Sequence, residues 1–152
     1  MSIEIGKAAP DFALRDQHGQ QVTLSSFRGA KAVMVVFFPF AFSGICTGEL
    51  NAIRDALPEL ESDDVTLLAV SCDPMQSLRA FAEREGLTYP LLSDFWPHGG
   101  VAQAYGVFND AAGSAFRGTF LVDKEGLVAW KVENGMPDAR SIDDYRDALA
   151  GV

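Results

Sequence analysis

Two apolar runs without polar alternation, "AVMVVFF" at 32–38 and "VTLLAVS" at 65–71, limit the folds open to this chain more than any other feature. β-Branched and aromatic residues in such a run suit a strand buried on both faces, as in the middle of a parallel sheet. Between the runs, Leu50, Ile53 and Leu57 fall on one stripe of a helix that Pro58 is expected to stop. The first unit is therefore strand, helix, strand. Further on, "MQSLRAFAERE" at 75–85 reads as a second helix, "YPLLSD" as a short strand and "GGVAQAYGV" as a short helical piece. "GTFLVD", a "KEG" turn and "LVAWKV" read as an antiparallel hairpin, and "SIDDYRDALA" as a closing helix. Near the start, "DFALRD", "QHGQ" and "QVTL" suggest an N-terminal β-hairpin whose turn uses Gly19.

Parallel pairing early and antiparallel pairing late imply an α/β fold with a mixed central sheet and helices on both faces, the thioredoxin-like arrangement. No repeat, low-complexity tract or linker divides the chain, and 152 residues that are 48% hydrophobic suffice for one core. Residues 1–152 thus read as a single domain. Twelve Lys and Arg against 21 Asp and Glu leave a net charge of -9, which repels nucleic-acid phosphates and anionic membranes. The opening "MSIEIGKAAPDF" lacks the features of a signal peptide, and the longest apolar run, 32–42, is too short to span a bilayer. A cytoplasmic location is expected, with no nucleic-acid or membrane partner. Cys46, Cys72 and two histidines can build neither a disulfide framework nor a closed zinc site, so no metal or cofactor is expected and both sulfurs should rest as thiols.

The stretch "FFPFAFSGICTGEL" places Cys46 just past the first core strand. With a helix starting at Ser43 or Gly44, Cys46 falls in the first turn at the carboxyl end of a parallel strand, where ligands of open α/β sheets bind. Unpaired N–H groups and the helix dipole favour an anion there, and a thiolate is one. The spacing also allows a plainer role, since Cys46 precedes Leu50 by four residues and Ile53 by seven, the place of a small buried hydrophobe. The neighbours point to chemistry: Pro39 ends the strand, Phe37, Phe40 and Phe42 are placed to wall a pocket, and Ser43 sets a hydroxyl ahead of the sulfur. Ser43 also suits a helix N-cap. By type and position alone, Arg117 reads as a solvated charge like Arg15 and Arg140, and Glu49 as a first-turn acid complementing the dipole. Trp96 reads as a packing residue, His18 and His98 as turn and loop residues, and Cys72, in "AVSCDP", as a buried thiol.

"PFAFSGIC" resembles the Pro-xxx-Thr-xx-Cys signature of peroxiredoxins, with Ser43 in place of threonine, and "CTGE" resembles the family's Cys-Pro-Thr-Glu, with Thr47 in place of proline. "FRGTFLVD" is similar to the strand that carries the family's active-site arginine, and "LLSDFWPHGGVAQAYGVF" to the segment before it. The matches run in the family's order from about Ala9 to Val132, and the loop and "SDFWPHG" resemble those of AhpE-type, alkyl hydroperoxide reductase E-like, one-cysteine peroxiredoxins of actinobacteria.

This resemblance implies a thiol-dependent peroxidase that reduces hydrogen peroxide and organic hydroperoxides. It implies Cys46 as the peroxidatic thiolate that becomes a sulfenic acid, Ser43 and Arg117 as partners of the peroxide oxygens, Pro39 as a shield and Glu49 as the group orienting the arginine. Serine for threonine removes a methyl that would restrain the hydroxyl's rotamers. The chain shows no cysteine in a C-terminal extension, so either Cys72 resolves the sulfenic acid or an external thiol does, such as mycothiol with a mycoredoxin, glutathione or thioredoxin. Family members often form homodimers, which is the expectation here. Two alternatives stay open: a monothiol thioredoxin-fold thiol–disulfide oxidoreductase, with Ser43 where Cys-x-x-Cys has its first cysteine, and a non-enzymatic redox-sensing module.

Overall fold

Residues 32–37 form the strand around which the fold is built. The computed structural model describes residues 2–152. In chain order its strands are β1 (Ala13–Arg15), β2 (Gln21–Thr23), β3 (Ala32–Phe37), β4 (Val65–Ser71), β5 (Leu91–Ser93), β6 (Phe108–Asn109), β7 (Ser114–Ala115), β8 (Arg117–Val122) and β9 (Val128–Asn134). The helices are α1 (Gly44–Leu60), α2 (Met75–Glu85), α3 (Gly100–Ala104) and α4 (Ile142–Ala150). A seven-stranded sheet runs in the order β2-β1-β5-β4-β3-β8-β9. β3 pairs in parallel with β4 from Ala32↔Val65 to Phe37↔Val70, and antiparallel with β8 from Val33↔Val122 to Val36↔Thr119. The mixed sheet inferred from the sequence is therefore present, and the N-terminal hairpin joins it as an edge through Arg15↔Ser93. Gly19, at φ 81°, supplies the left-handed residue that the β1–β2 turn requires.

Both faces of β3 are covered, which is why its sequence lacks alternation. Met34, Val36 and Phe38 pack with Leu50 and Ile53 of α1, Phe81 of α2 and Tyr145 of α4. Val33, Val35 and Phe37 pack on the opposite face with Ala102, Tyr105 and Phe120. Burying one such large side chain is worth about 1.5–3 kcal/mol, so the two layers fix the register of β3 strongly.

Three expectations are corrected. Pro58 does not stop α1, which continues to Leu60 and closes with Glu61 N–H donating to Leu57 O at 2.9 Å. Leu60 is buried in the core, and its burial offsets the one helical hydrogen bond that a proline cannot donate. Phe37 walls no pocket near Cys46, because strand alternation turns it to the opposite face, against Tyr105 and Phe120. Trp96 is 82% exposed and is not a packing residue. A two-stranded hairpin of β6 and β7 and a 3-10 turn at Leu24–Phe27 were not anticipated, both being too short to carry a periodic signal.

Candidate active site

β3 delivers the chain to the site. After Phe37 the backbone passes a buried Pro39, turns at Ala41 and Phe42, and enters α1 at Gly44, with Ser43 at the N-cap position. Cys46 lies in the first turn of α1, as the spacing suggested. Its sulfur has no exposed surface and belongs to the same apolar cluster as Phe38, Ala41, Leu50 and Ile53. The two readings of Cys46 thus coincide: it packs as a small hydrophobe and it also meets a cation, since Arg117 Nη1 donates to Cys46 Sγ at 3.2 Å.

Arg117 opens β8 and is 3% exposed, so it is not a solvated charge. The same Nη1 donates to Glu49 Oε1 at 2.5 Å, and Nε donates to the Met136 carbonyl at 2.7 Å. The next residue must be small, because a Cβ on Gly118 would stand 2.9 Å from Val107 Cγ1. Glu49 sits in the second turn of α1 rather than the first, six residues from the N-cap, where the dipole contributes little. Its partners are the two arginines.

Arg140 is the residue that the sequence hid. Read as a solvated charge, it is instead 8% exposed and makes the densest set of contacts in the site. Its Nε and backbone N–H both donate to Glu49 Oε2, at 2.9 and 2.7 Å, and Nη2 donates to Oε1 at 3.1 Å. Nη1 donates to the carbonyls of Phe37 and Gly118 at 2.6 and 2.9 Å and to Thr119 Oγ1 at 3.1 Å. The β3–β8 ladder ends at Val36↔Thr119, so Arg140 satisfies two carbonyls that the ladder has left unpaired. Thr119 Oγ1 in turn meets Tyr145 Oη at 2.7 Å. Nothing in "PDARS" distinguishes this arginine locally; the only cue is its place just before the Ser141 cap of α4.

Burial opposes the charge on Glu49, but the hydrogen bonds and charge of Arg140, with the charge of Arg117, outweigh it and hold the carboxyl below the ordinary glutamate value. Its contribution to stability is fully present above that ordinary value and is lost as pH falls through the lower folded-state value. Glu49→Gln is expected to cost about 3–5 kcal/mol in urea unfolding at neutral pH, because it leaves two buried guanidinium groups without their counter-charge. The gap to the unsubstituted protein should narrow on acidification; a gap independent of pH would show that the carboxylate's charge is not what the arginines need.

Ser43 stands at the N-cap, but its hydroxyl caps no amide; Oγ donates to the Phe40 carbonyl at 3.0 Å. Phe40 and Phe42 are exposed, and Phe42 lies edge-on to Phe81 with centroids 5.1 Å apart. Cys72 follows β4 on the parity of Leu68 and Val70, whose side chains face the cluster opposite to that of Cys46. Burial, then the charges of Asp94 and Asp73, push its thiol up to about 12. His98 turns its ring nitrogens to the Phe95 and Gly113 carbonyls, away from this cluster. Among the described residues no group of His, Cys, Asp and Glu is placed to hold a metal ion.

A thioredoxin-like sheet that holds a cysteine at a helix start, against a buried arginine, defines a class of thiol-based redox proteins. The comparisons narrow the class. Residues 5–131 match the model of the AhpC/TSA family, and the chain belongs to that family of peroxiredoxins. It is 52% identical over 150 residues to the alkyl hydroperoxide reductase E of Mycobacterium tuberculosis, covering 99% of this chain and 98% of that protein. It is 34% identical over 150 residues to the chloroplastic 2-Cys peroxiredoxin BAS1 of Hordeum vulgare, covering 92% of this chain and 70% of the relative. Among solved structures, peroxidoxin BcpB of Mycobacterium tuberculosis superposes with a TM-score of 0.86 at 29% identity, over 99% of this chain and 98% of that one.

Proposed function

We propose that residues 1–152 form one thioredoxin-like domain in which Cys46 is the peroxidatic sulfur of a thiol-dependent peroxidase acting on alkyl hydroperoxides and hydrogen peroxide. The observation that carries this reading is the Arg117 N–H aimed at Cys46 Sγ. Glu49, Arg117 and Arg140 together bring one more positive than negative charge into the interior, and the sulfur that accepts from Arg117 is placed to supply the balancing anion.

In the first step the thiolate attacks the terminal oxygen of ROOH. An S–O bond forms and the O–O bond breaks; the sulfur loses two electrons, and the departing RO⁻ takes a proton to leave as ROH. Arg117 donates to the sulfur and to the oxygens as charge shifts along the S–O–O line. Ser43 already donates its proton to Phe40, so its lone pairs are free to accept from the peroxide O–H. Glu49 orients Arg117, and Arg140 orients Glu49. Pro39, buried at the end of β3, shields the sulfenic acid from the strand side.

In the second step an external thiol R′SH attacks the sulfenic acid, giving Cys46–S–S–R′ and water, and another thiol releases Cys46. The parity of Cys72 with Leu68 and Val70, which pack in the cluster opposite that of Cys46, and the burial of Cys72 as a neutral thiol support an external reductant. Mycothiol with a mycoredoxin, glutathione and thioredoxin are the candidates. A homodimer and a cytoplasmic location complete the proposal; among the described residues no helix is long and apolar enough to cross a membrane, and Phe95, Trp96 and Phe116 offer exposed apolar surface for a second copy.

One equivalent of hydrogen peroxide followed by dimedone trapping and mass spectrometry tests the reading. A single adduct on Cys46 with Cys72 unmodified is expected. A Cys46–Cys72 disulfide would replace the external thiol by internal resolution, and an unoxidised Cys46 would end the proposal.

A further inference from the structure

The turn that covers Cys46 is held from outside the site. Phe42 adopts φ 71°, the one residue other than glycine with positive φ among the described residues. A side chain bearing a Cβ resists this conformation, and it persists only where neighbours hold it. Within the turn, Ser43 N–H and Ser43 Oγ both donate to the Phe40 carbonyl, at 3.4 and 3.0 Å. From other parts of the chain, Phe81 and Arg84 pack against the Phe42 ring, and Asp73 holds the backbone: its Oδ2 accepts the N–H of the buried Ala41 at 2.9 Å. That oxygen also accepts from Ser71 Oγ at 2.7 Å, while Asp73 N–H donates to Ser71 Oγ at 3.3 Å and Ser93 Oγ donates to the Asp73 carbonyl at 2.6 Å.

Asp73 lies two residues before α2, where an acid ordinarily serves the helix start. Here the N-cap is Pro74, without a side-chain cap, and Oδ2 turns instead to Ala41 and Ser71. Ser71 and Ser93 end two paired core strands, β4 and β5, so the carboxylate is mounted on the rigid sheet.

We infer that Asp73 is a positioning residue for Cys46: through the Ala41 N–H it latches the β3–α1 turn to the sheet, fixing the left-handed Phe42, the Ser43 hydroxyl and the first turn of α1 in the arrangement that meets the peroxide. This rests on the peroxidase reading above and adds a group that touches neither sulfur nor substrate. Because the sulfur has no exposed surface, the latch also sets how readily a bulkier reagent reaches it. The two consequences have opposite signs. Releasing the latch disorders the arrangement needed for the peroxide step and opens the path to Cys46.

The test compares Asp73→Ala and Asp73→Asn, measuring oxidation of Cys46 by hydrogen peroxide and its alkylation by iodoacetamide, with melting curves as a check on folding. In Asp73→Ala the peroxide step should slow about tenfold or more, the scale of one lost hydrogen bond to a charged group, and alkylation should quicken severalfold. Asparagine keeps an oxygen at the Oδ2 position and should restore both rates to within about twofold of the original. Ser71→Ala, which loosens the carboxylate without removing it, should shift both rates in the same directions by smaller factors, and it serves if Asp73→Ala does not fold. A peroxide rate unchanged in Asp73→Ala, an Asp73→Asn as slow as the alanine variant, or a fall in both rates together would overturn the inference. If Cys46 of the unsubstituted protein were not oxidised at all, the peroxidase reading itself would fail, an outcome separate from these.

Discussion

Cys46→Ser is expected to lower peroxide consumption by at least about a thousandfold while leaving the fold in place. An alcohol is not ionised near neutral pH, so the substitution keeps the shape of the site and removes the nucleophile. The hydroxyl fits the space of the thiol between Phe38, Leu50 and Ile53 and can still accept from Arg117. Loss of activity through unfolding is therefore not the anticipated route, and far-UV circular dichroism with a melting curve separates the two. The assay follows hydrogen peroxide and tert-butyl hydroperoxide separately, with dithiothreitol as reductant. Turnover that survives the substitution with either peroxide would move the chemistry away from Cys46.

Arg117→Ala ranks second in expected effect. Removing a preorganised donor from a developing charge costs about a hundredfold or more in rate, and Arg117 is the donor that reaches the sulfur. Stability should suffer less than burial alone suggests. Glu49 keeps three hydrogen bonds from Arg140 when Arg117 is gone, so no buried carboxylate is stranded. This contrasts with Glu49→Gln, where the anion shared by both guanidinium groups disappears. Stopped-flow tryptophan fluorescence should report the slowed oxidation, because Trp130 stacks edge-on to Tyr145, 6.1 Å between centroids, and Tyr145 contacts the network through Thr119. Arg117→Lys should rescue only in part, since a point charge cannot hold the sulfur, Glu49 and the Met136 carbonyl at once. Equal oxidation rates for Arg117→Ala and the unsubstituted protein would exclude Arg117 from the reaction.

Much of the fold was legible because its signals are local. The unalternating runs of β3 and β4 state their burial on both faces, and the stripes of α1 and α2 state which side they cover. Cys46 was legible for the same reason: a strand end, a turn and a helix start follow one another within ten residues. The role of Arg140 was not, because it is created by a meeting of distant segments. A guanidinium is most often solvated, and only the approach of β3, β8 and α1 around residue 140 supplies the acceptors that make its burial favourable. Asp73 was hidden likewise; its partner Ala41 lies 32 positions away and offers a backbone amide, which has no sequence identity to read. Pro58 misled in the opposite sense, since a local rule about helix ends yielded to the burial of Leu60 two residues later.

The division of the charge cluster along the chain matters to anyone recombining this protein with a relative. Its carboxylate and sulfur come from the first third of the polypeptide, one guanidinium from the start of β8 and the other from the run-up to α4. A crossover between residues 118 and 139 would draw the two cations from different parents, whereas one upstream of Arg117 inherits them as a set. Exchange boundaries chosen by hydrophobic packing alone would overlook this constraint.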